Sequence, residues 1–534
     1  MNRRIFILFI LSYILLLPVK SQELNDTIDI DEVVFSGQRI PVVYSNLSRI
    51  VHVMEKTQME NAPVKSYQEL FEYIPGVDVR QRGVIGVQGD LSIRGGSFDQ
   101  NMILLNGMPV NDPQTGHHNL NLPVSIDQIT QLEVLQGSGS RIFGPNAFSG
   151  AVNFITYPDE KKDYMRANAA AGQFGYLKTA LHGAYAMDNY WNALSFGRQK
   201  SDGYIENTDF DMMHLYYQSA WESPVGDVHF QLGHQDKEFG ANQFYTPKYP
   251  DQFEHTQTTL SSIELKTKGA LSWNPMVYWR RHRDRFELFR YEDQSPAWYN
   301  HHNYHQTNVY GAKLNTSYTS SWGKTALGAE FKREEIISNV LGEAMEDTLK
   351  EEGEKAFYTH SAQRDNMAVF LEHTWYSGAF SVSGGTLLNW NSDYDWRIYP
   401  GIEASYELNA RSKMYASVNH SLRLPSFTDL YYESPANIGN PELKPEESLS
   451  YETGIKSFSS SFEGNVSFFY RQGKNIIDWI RQSDSLLWKS RNHTNLSTYG
   501  AEFSGKIKGR AIWGNKPWIN TIRFGYTYIN SDKE

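Results

Sequence analysis

The feature that most restricts the fold of this chain is an alternation of apolar and polar residues that starts near Tyr164 and continues to the end. Val228, Phe230 and Leu232 alternate with polar or small neighbours, and the same period of two recurs at 466–470. Successive side chains of a β-strand point to opposite sides of a sheet. The period therefore predicts many strands with one apolar and one polar face.

Two architectures fit this alternation, a soluble β-sandwich and a transmembrane β-barrel. Strands of soluble sheets usually run about 5–6 residues, whereas several segments here run past ten. Short turns, such as 322–324 and 409–411, alternate with long polar connections. The long connections are 240–256, 290–304, 340–362 and 425–446. Long strands joined in this way favour a barrel whose short turns face the periplasm and whose long loops face the exterior.

The number of strands bears on whether the barrel closes. Counting from Tyr164 gives about 17 strands, the last of them from Thr521 to Asn530. Bacterial single-chain barrels have an even number of strands and leave no open edge in lipid. We therefore expect residues 164–534 to form a barrel that is incomplete at its C-terminal end.

The first residues resemble a secretory signal. Arg3 and Arg4 precede an apolar run from Ile5 to Leu17, and small residues follow at 19–21. The run is shorter than the roughly 20 residues that a membrane-spanning helix needs. We predict a cleaved signal peptide at 1–21, with an uncleaved anchor as the alternative, and nothing later resembles a membrane helix.

Composition excludes several classes of function. The net charge is −11, and removing the basic leader makes the remainder more acidic, which argues against nucleic acid as a partner. The absence of cysteine excludes disulfides, thiolate metal sites and cysteine nucleophiles. The 33 Tyr and 13 Trp suit the aromatic girdles that membrane barrels place at both interfaces.

The segment before the barrel has a different texture. Residues 22–50 are short and polar, and residues 51–157 resemble a small mixed α/β domain. Ser66 to Tyr73 is a predicted helix with a capping box formed by Ser66 and Glu69, and Pro75-Gly76 ends it. Short predicted strands follow at 91–93, 102–105, 131–135 and 151–156.

Within this domain, five motifs occur in a recognisable order. They are ELF with IPGV (69–77), LSIRGG (91–96), ILLNGMPV (103–110), ITQLEVLQG (129–137) and FGPNAFSGAVNFIT (143–156). Together they resemble the plug domain of TonB-dependent receptors. LRLPSFTDLY (422–431) and GNPELKPE (439–446) resemble a barrel segment of the same family.

The resemblance implies a mainly β protein of the Gram-negative outer membrane. In the full-length family a 22-stranded antiparallel barrel encloses an N-terminal plug, here expected at 51–157. The implied protein is a monomer in outer-membrane lipid and not an enzyme. No cofactor and no resident metal ion are expected.

The resemblance also implies an energy-coupling peptide just after the leader. The residues that resemble this TonB box are Asp31, Glu32, Val33, Val34, Phe35, Ser36 and Gly37. An extended, β-branched segment on a tether can add a strand to a partner's sheet, here TonB with its inner-membrane complex. The alternative is that 33–35 form the first strand of the plug.

Arg94, Gly95, Gly96 and Arg423 are the residues expected where plug and barrel meet. The glycines permit close backbone approach, and the Arg94 guanidinium is expected to pair with a carboxylate of the wall. The alternative for Arg94 is a solvated arginine in a turn.

Two groups of residues are candidates for ligand binding. The plug loop contributes Asn111, Asp112, Gln114, His117 and His118, and an outer connection contributes Trp298, Tyr299, His301, His302 and His305. Histidine can hold a metal chelate or donate hydrogen bonds. The alternatives are that the loop histidines are structural and that the second group belongs to an interfacial girdle.

The function implied is active import of a scarce metal chelate, such as a ferric siderophore or cobalamin. Haem is disfavoured, because haem receptors of the family carry a histidine between the two barrel motifs. No histidine occurs from Pro425 to Asn440. The alternatives are a receptor for another small ligand (an oligosaccharide or peptide), a passive porin or a barrel enzyme. The Gly323-Lys324-Thr325 sequence lacks the upstream glycine of a phosphate loop and is interpreted as a turn.

Overall fold

The structure, a computed structural model, describes most of the chain from residue 49 onward. The described residues are 34–35, 42–43, 49–158, 160–291, 295–299, 301–351, 356–434, 436–481, 483, 486–514 and 518–533. Outside them lie the expected signal peptide at 1–21 and, from the expected TonB box, Asp31, Glu32, Val33, Ser36 and Gly37.

The described part of the expected TonB box is a short strand. Val34–Phe35 (β1) pairs antiparallel with Val42–Val43 (β2) in a two-stranded sheet. The sheet of the plug begins later, at Val51–Glu55 (β3). Among the described residues, β1 therefore lies in a different sheet from the strands of the plug.

The plug is built on a five-stranded mixed sheet with the order β3-β8-β9-β6-β7. Its other strands are Asn101–Leu105 (β6), Met108–Pro109 (β7), Gln131–Gln136 (β8) and Gly150–Ile155 (β9). Only the β6–β9 pair is parallel. Val77–Arg82 (β4) and Gln88–Ile93 (β5) form a separate antiparallel pair. The four short strands expected from the sequence correspond to β5, β6, β8 and β9.

The helices of the plug are short. They are the α-helices Lys56–Glu60 (α1) and Ser140–Phe143 (α2) and the 3-10 helices Glu69–Tyr73, Phe98–Gln100, Gly116–His118 and Ile126–Gln128. The predicted helix from Ser66 with its capping box is wrong. A 3-10 helix starts at Glu69 instead, and the Glu69 carboxylate accepts from the Lys65 amide at 2.8 Å. The stretch before Pro75 is too short for a stable α-helix.

A separate sheet of nineteen strands forms the wall and confirms the expected large antiparallel sheet. Its first nine strands are Tyr164–Ala171 (β10), Leu177–Met187 (β11), Tyr190–Ser201 (β12), Phe210–Glu222 (β13), Gly226–Gly240 (β14), Phe253–Thr267 (β15), Leu271–Glu287 (β16), Asn303–Ser320 (β17) and Gly323–Ser338 (β18). The others are Glu343–Lys350 (β19), Phe357–Ser377 (β20), Phe380–Asn391 (β21), Asp395–Asn409 (β22), Ser412–Arg423 (β23), Asn437–Ile438 (β24), Glu446–Phe458 (β25), Phe462–Ile480 (β26), Trp488–Lys508 (β27) and Thr521–Lys533 (β28).

The wall is an up-and-down meander. β18 pairs directly with β20 and β23 with β25, because β19 and β24 lie within loops. Setting those two aside leaves seventeen long strands, the number expected from the alternation. In the described part of the chain, β10 pairs only with β11 and β28 only with β27, so these strands are the edges of the sheet.

Connections at the two ends of the wall differ in length. Two-residue turns, such as 188–189, 378–379 and 410–411, alternate with long loops. The long loops include 241–252, 288–302, 339–356 and 424–445, the last with Phe427–Tyr431 (α3); at the short-turn end, 509–520 holds Arg510–Trp513 (α4). The turn expected at 322–324 is tighter than predicted, because Gly323 already belongs to β18.

The two faces of the wall differ as the alternation predicts. Leu232, Ile263, Val277 and Phe468 are 44–59% exposed on the outward face, whereas the neighbouring Gln231 is 1% exposed on the inward face. Such an outward apolar band suits contact with lipid. Of the helices described, none is long and apolar enough to cross a membrane.

The plug lies inside the wall, because its side chains contact strands spread over most of the sheet. Asn106 contacts Tyr216 on β13 and Gln231 on β14. Arg94 contacts Glu452 on β25 and Glu502 on β27. The space enclosed by the wall is therefore occupied by the chain's own N-terminal domain, as a wide barrel requires if it is to be closed.

Candidate functional site

Arg94 joins the plug to two carboxylates of the wall. Its guanidinium donates to both oxygens of Glu502, at 3.0 and 2.5 Å, and to Glu452 at 2.7 Å. Arg94 is 2% exposed and lies over the Phe469 ring. Burial lowers the pKa of Arg94, but the two carboxylates more than offset this and raise it. Arg94 therefore stays charged, in a bidentate contact that fixes its position.

The two glycines after Arg94 permit different close approaches. Gly95 has a φ of +71°, and a Cβ there would lie 3.4 Å from Ile529 on β28. A Cβ at Gly96 would collide with Ser149 Oγ, which belongs to the plug. Gly95 thus faces the wall, whereas the space restriction at Gly96 is internal to the plug.

Arg423 forms a second ion-paired cluster at the end of β23. Its guanidinium lies 2.5 Å from Asp429, 3.1 Å from Glu446 and 3.4 Å from Asp99 of the plug. Gln100 of the plug also donates to Glu446, at 2.7 Å. Burial raises the pKa of Asp99, and the Arg423 charge opposes this shift.

A third cluster was not predicted from the sequence. Arg141 on α2 lies 2.6 Å from Glu403 on β22 and 3.1 Å from Glu372 on β20. Arg49 also pairs with Glu403. Burial, together with the Arg141 charge, lowers the pKa of Arg49 to about 9. We call the wall from β20 to β27, with these three arginine clusters, the ion-paired half.

The wall from β13 to β17 is joined to the core of the plug by one apolar cluster, and we call it the packed half. The wall members of the cluster are Tyr216, Leu260, Met276, Tyr278 and Val309. This half also has charged contacts with the plug, at Lys237 and Arg280. Asn106 Nδ2 lies 2.7–3.0 Å from oxygens of Thr156, Tyr216 and Gln231, and its two N–H groups share these three acceptors.

The candidate ligand loop at 111–121 is held largely by protein partners. Asn111 bonds the backbone of Ile103 and Asn101. Asp112 accepts from Arg280 at 2.7 Å, and Gln114 donates to Asp284 at 2.9 Å. The last two pairs lie between plug and wall. The sequence indicated a polar loop but not these contacts, because the partners lie far away in the chain.

His117 and Asn111 are the partly exposed candidates in this loop, and the His117 side chain is 20% exposed. Its ring stacks on Phe98 with centroids 4.1 Å apart, and the Tyr245 ring follows at 5.6 Å. Its Nδ1 lies 2.7 Å from Asp90. Although burial raises the pKa of Asp90, contacts with His117 and Arg82 lower it overall. A partly open aromatic surface results beside the outer loops.

His118 faces away from that surface and is buried against the wall. Its Nε2 lies 3.4 Å from Asp284 and 3.7 Å from Glu254. Burial lowers the pKa of His118, but these carboxylates and Asp112 raise it above the ordinary value. The two adjacent histidines therefore occupy different environments.

Two groups of side chains have ligand atoms close enough to hold a metal ion. One is His118 with Glu254 and Asp284, and the other is Asp236 with Glu238 and His255.

The outer cluster expected at 298–305 divides into two parts. Trp298, Tyr299 and His302 lie together; the Tyr299 and Trp298 ring centroids are 6.1 Å apart, and Tyr299 is 2.8 Å from His302. His305 is instead buried in β17 and bonds Ser338 at 2.8 Å. His301 is exposed. The division follows the start of β17 at Asn303, because His305 belongs to the buried part of that strand and His302 lies in the loop before it.

Sequence reasoning missed the acidic partners on the wall. Glu403, Glu452 and Glu502 lie within strands, and their side chains are 6%, 8% and 3% exposed. A carboxylate at an inward position of such a strand was a usable signal for a plug cation. It did not identify which arginine would pair with it.

Comparisons with known proteins agree with this architecture. The family model described as TonB dependent receptor-like, beta-barrel matches residues 191–534, and the TonB-dependent Receptor Plug Domain matches residues 45–151. The vitamin B12 transporter BtuB of Vibrio vulnificus (strain YJ016) is 22% identical over 522 residues. That alignment covers 93% of this chain and 79% of the relative.

Solved structures share the fold at low sequence identity. The siderophore receptor PirA from Pseudomonas aeruginosa has a TM-score of 0.69 at 16% identity, over 90% of this chain and 85% of that chain. The unliganded ferric citrate transporter FecA has a TM-score of 0.72 at 14% identity, over 92% and 79%. With its barrel segment matched over more than half of its length, this chain belongs to the TonB-dependent receptor family of the outer membrane.

Proposed function

We propose that the protein is an active transporter that imports a scarce metal chelate, such as a ferric siderophore or cobalamin, with energy supplied by TonB. The observation that carries this proposal is the filled lumen. Plug side chains reach wall strands from β13 to β27, so a ligand can pass only if the plug moves. A passive porin needs no such obstruction.

The polar character of the ion-paired half supports movement of the plug. Its contacts are short arginine–carboxylate pairs, as at Arg94 and Arg141. Charged groups regain hydration when water enters, so separating them in a wet lumen costs less than their mutual attraction suggests. Pulling on the N-terminal segment would then free this half of the plug without unfolding the wall.

The partly open aromatic surface supports a ligand with a flat or aromatic face. Phe98, His117 and Tyr245 form a chain of ring contacts that continues to Phe286, 5.5 Å from Tyr245. Aromatic rings offer a large apolar area with defined geometry. The named relatives transport vitamin B12 and ferric citrate or receive siderophores, and chelates of this kind are the class we propose here.

The energy-coupling step is proposed to occur at 31–37. Val34–Phe35 is extended and pairs with only two residues of β2. A strand held by so short a pairing can exchange it for a partner's sheet edge. Proline at residue 34 would remove a backbone donor that such pairing needs.

The test combines uptake and binding. A strain that lacks the gene should grow poorly when iron, or alternatively vitamin B12, is limiting, and the parent protein should restore growth. Val34→Pro should bind the chelate normally and fail to restore growth, whereas Val34→Thr, which retains strand propensity, should restore it. Growth of the Val34→Pro strain equal to that of the parent would refute TonB-driven import at this segment.

The ligand surface is tested separately by titrating ferric siderophores and cobalamin into the purified protein. We expect His117→Ala to weaken binding of the cognate chelate about tenfold, equivalent to about 1.4 kcal/mol. His373→Ala is the matched control, because that histidine is exposed on β20. Unchanged affinity in His117→Ala would remove His117 from the proposed surface.

A further inference from the structure

Three side chains with metal-binding chemistry converge where the plug loop meets β15 and β16. His118 Nε2 lies 3.4 Å from Asp284 Oδ2 and 3.7 Å from Glu254 Oε1. The side chains of His118, Glu254 and Asp284 are 4%, 2% and 4% exposed. One ligand atom from each lies within 4.8 Å of the others. These three residues form what we call the plug–wall triad.

The spacing of the triad suits a shared ion better than direct hydrogen bonds. Ligands at 2.0–2.1 Å from a tetrahedral zinc ion stand about 3.3–3.4 Å apart. N–H···O bonds are usually about 2.7–3.2 Å long. The separations in the triad, 3.4 and 3.7 Å, exceed the second range and lie close to the first.

Unpartnered buried atoms give independent support. His282 is fully buried, and its Nε2 has no hydrogen-bond partner, although its Nδ1 lies 2.8 Å from Thr258 Oγ1. The His282 ring lies 4.6 Å from that of His118, between centroids. Asp284 Oδ1 is also buried without a partner. Buried polar atoms are rarely left unsatisfied, and an ion bound by the triad would satisfy Asp284 Oδ1.

The neighbouring hydrogen bonds resemble the outer shell of a metal site. Gln114 donates to Asp284 Oδ2 at 2.9 Å, and the Tyr245 hydroxyl donates to Glu254 Oε2 at 3.1 Å. Such contacts fix the orientation of metal ligands.

The charge balance favours a cation. Arg280 pairs with Asp112 at 2.7 Å, and Lys237 donates to Val87 and Asn121. In the described part of the chain, neither Glu254 nor Asp284 has a lysine or arginine nitrogen within 4.0 Å. Lys237 is the lysine that acts on both carboxylates electrostatically, but its ammonium bonds Val87 and Asn121 and neither carboxylate directly. Two buried carboxylates without a direct lysine or arginine partner favour a bound cation.

We propose that the plug–wall triad binds one divalent transition-metal ion of the zinc type and thereby ties the plug loop to the wall. Imidazole and carboxylate donors suit such ions. This inference goes beyond the proposed import function, because neither TonB nor a chelate takes part in it.

The test measures Zn²⁺ and Co²⁺ binding to the purified full-length protein after treatment with a chelator. We expect about one ion per chain for the parent, and at least about tenfold weaker binding for His118→Ala and Asp284→Asn. His373→Ala, the exposed histidine on β20, should bind as the parent does. Circular dichroism of the sheet should be unchanged in every variant.

Three results would overturn the proposal. The first two are no stoichiometric Zn²⁺ in the parent and parent-like binding in both triad variants. The third is loss of the ion in His255→Ala with His118→Ala unaffected, which would place the ion at Asp236, Glu238 and His255. None of these results bears on import, because the growth test uses the Val34 variants.

The tie between plug and wall has its own readout. Zn²⁺ should slow hydrogen exchange of residues 111–121 in the parent. In Asp284→Asn, Zn²⁺ should leave the exchange rate of these residues unchanged. Stoichiometric binding without slower exchange would show that the ion does not hold the loop.

Discussion

The plug meets the two halves of the wall through different chemistry. On the ion-paired half, Arg94, Arg141 and Arg423 each join plug and wall through several carboxylates. On the packed half, apolar residues such as Leu260 and the amide of Asn106 make contacts. Charged groups also meet there, at the Asp112–Arg280 pair, at Lys237 and in the plug–wall triad.

The two kinds of contact respond differently when water enters. When ion pairs separate, hydration of the two charges offsets much of the lost attraction. When apolar surfaces separate, their exposure to water costs about 25 cal/mol per Å², and hydration does not offset this cost. We therefore expect the ion-paired half to open first and the packed half to act as the anchor. The comparison leads to four predictions.

The largest effect is expected at Arg94. Arg94→Ala leaves Glu452 and Glu502 buried without a cation, and removing one partner of a buried pair costs about 3–5 kcal/mol. Native-state hydrogen exchange of 94–101 measures this loss. Arg80→Ala, at an exposed arginine on β4, is the control. Replacing Arg94, Glu452 and Glu502 together by Met, Gln and Gln should recover part of the loss, and failure to do so would contradict the charge argument.

The packed half should respond to a cavity. Leu260 is fully buried in the cluster shared with the plug, so Leu260→Ala should cost about 2–5 kcal/mol. Exchange should accelerate at 105–110 more than at 137–143. Ile263→Ala is the matched control, since Ile263 is 51% exposed on the outward face of the same strand. Equal acceleration at both segments would argue against a separate anchor.

A smaller effect is expected at Asn106, which has a φ of +52°. Asn106→Ala should cost about 1–3 kcal/mol, because buried partners lose their hydrogen bonds. Asn106→Gly loses the same bonds but tolerates the positive φ, so it should cost less than Asn106→Ala in a thermal unfolding assay. An equal cost for both variants would show that conformational strain contributes nothing.

The smallest effect concerns pH. Burial, with the Arg94 charge, lowers the pKa of His52 to about 4. The folded plug therefore keeps His52 neutral, while the unfolded chain binds a proton below about pH 6.5. The free energy of unfolding therefore decreases as the pH is lowered from about 6.5 towards 4. We expect a loss of about 1 kcal/mol between pH 7.5 and 5.5. His52→Gln should reduce the slope, and an identical slope would exclude His52 as its cause.

The sequence predicted the wall well because its signal is local and repeated. The period of two gave the number of long strands, and loop lengths gave their alternation. The helix at Ser66 failed because the capping pattern is local, whereas the short span before Pro75 and contacts with the rest of the plug decide its form. The Glu69 carboxylate accepts a hydrogen bond from the Lys65 backbone amide instead.

The contacts of the site were harder to predict. Arg94 was a candidate from its motif, but Glu502 lies 408 positions away, and no periodicity reports such a pairing. The plug–wall triad could not be predicted for the same reason. His118, Glu254 and Asp284 come from three elements, so only the folded chain brings them together.

The most direct test of the two-half account is hydrogen exchange of the intact protein across a series of low urea concentrations. We predict that 137–143, on the ion-paired half, exchange at lower urea than 105–110, on the packed half, while wall strands β14 to β17 remain protected. Simultaneous exchange of the two segments, or earlier exchange of 105–110, would contradict the account.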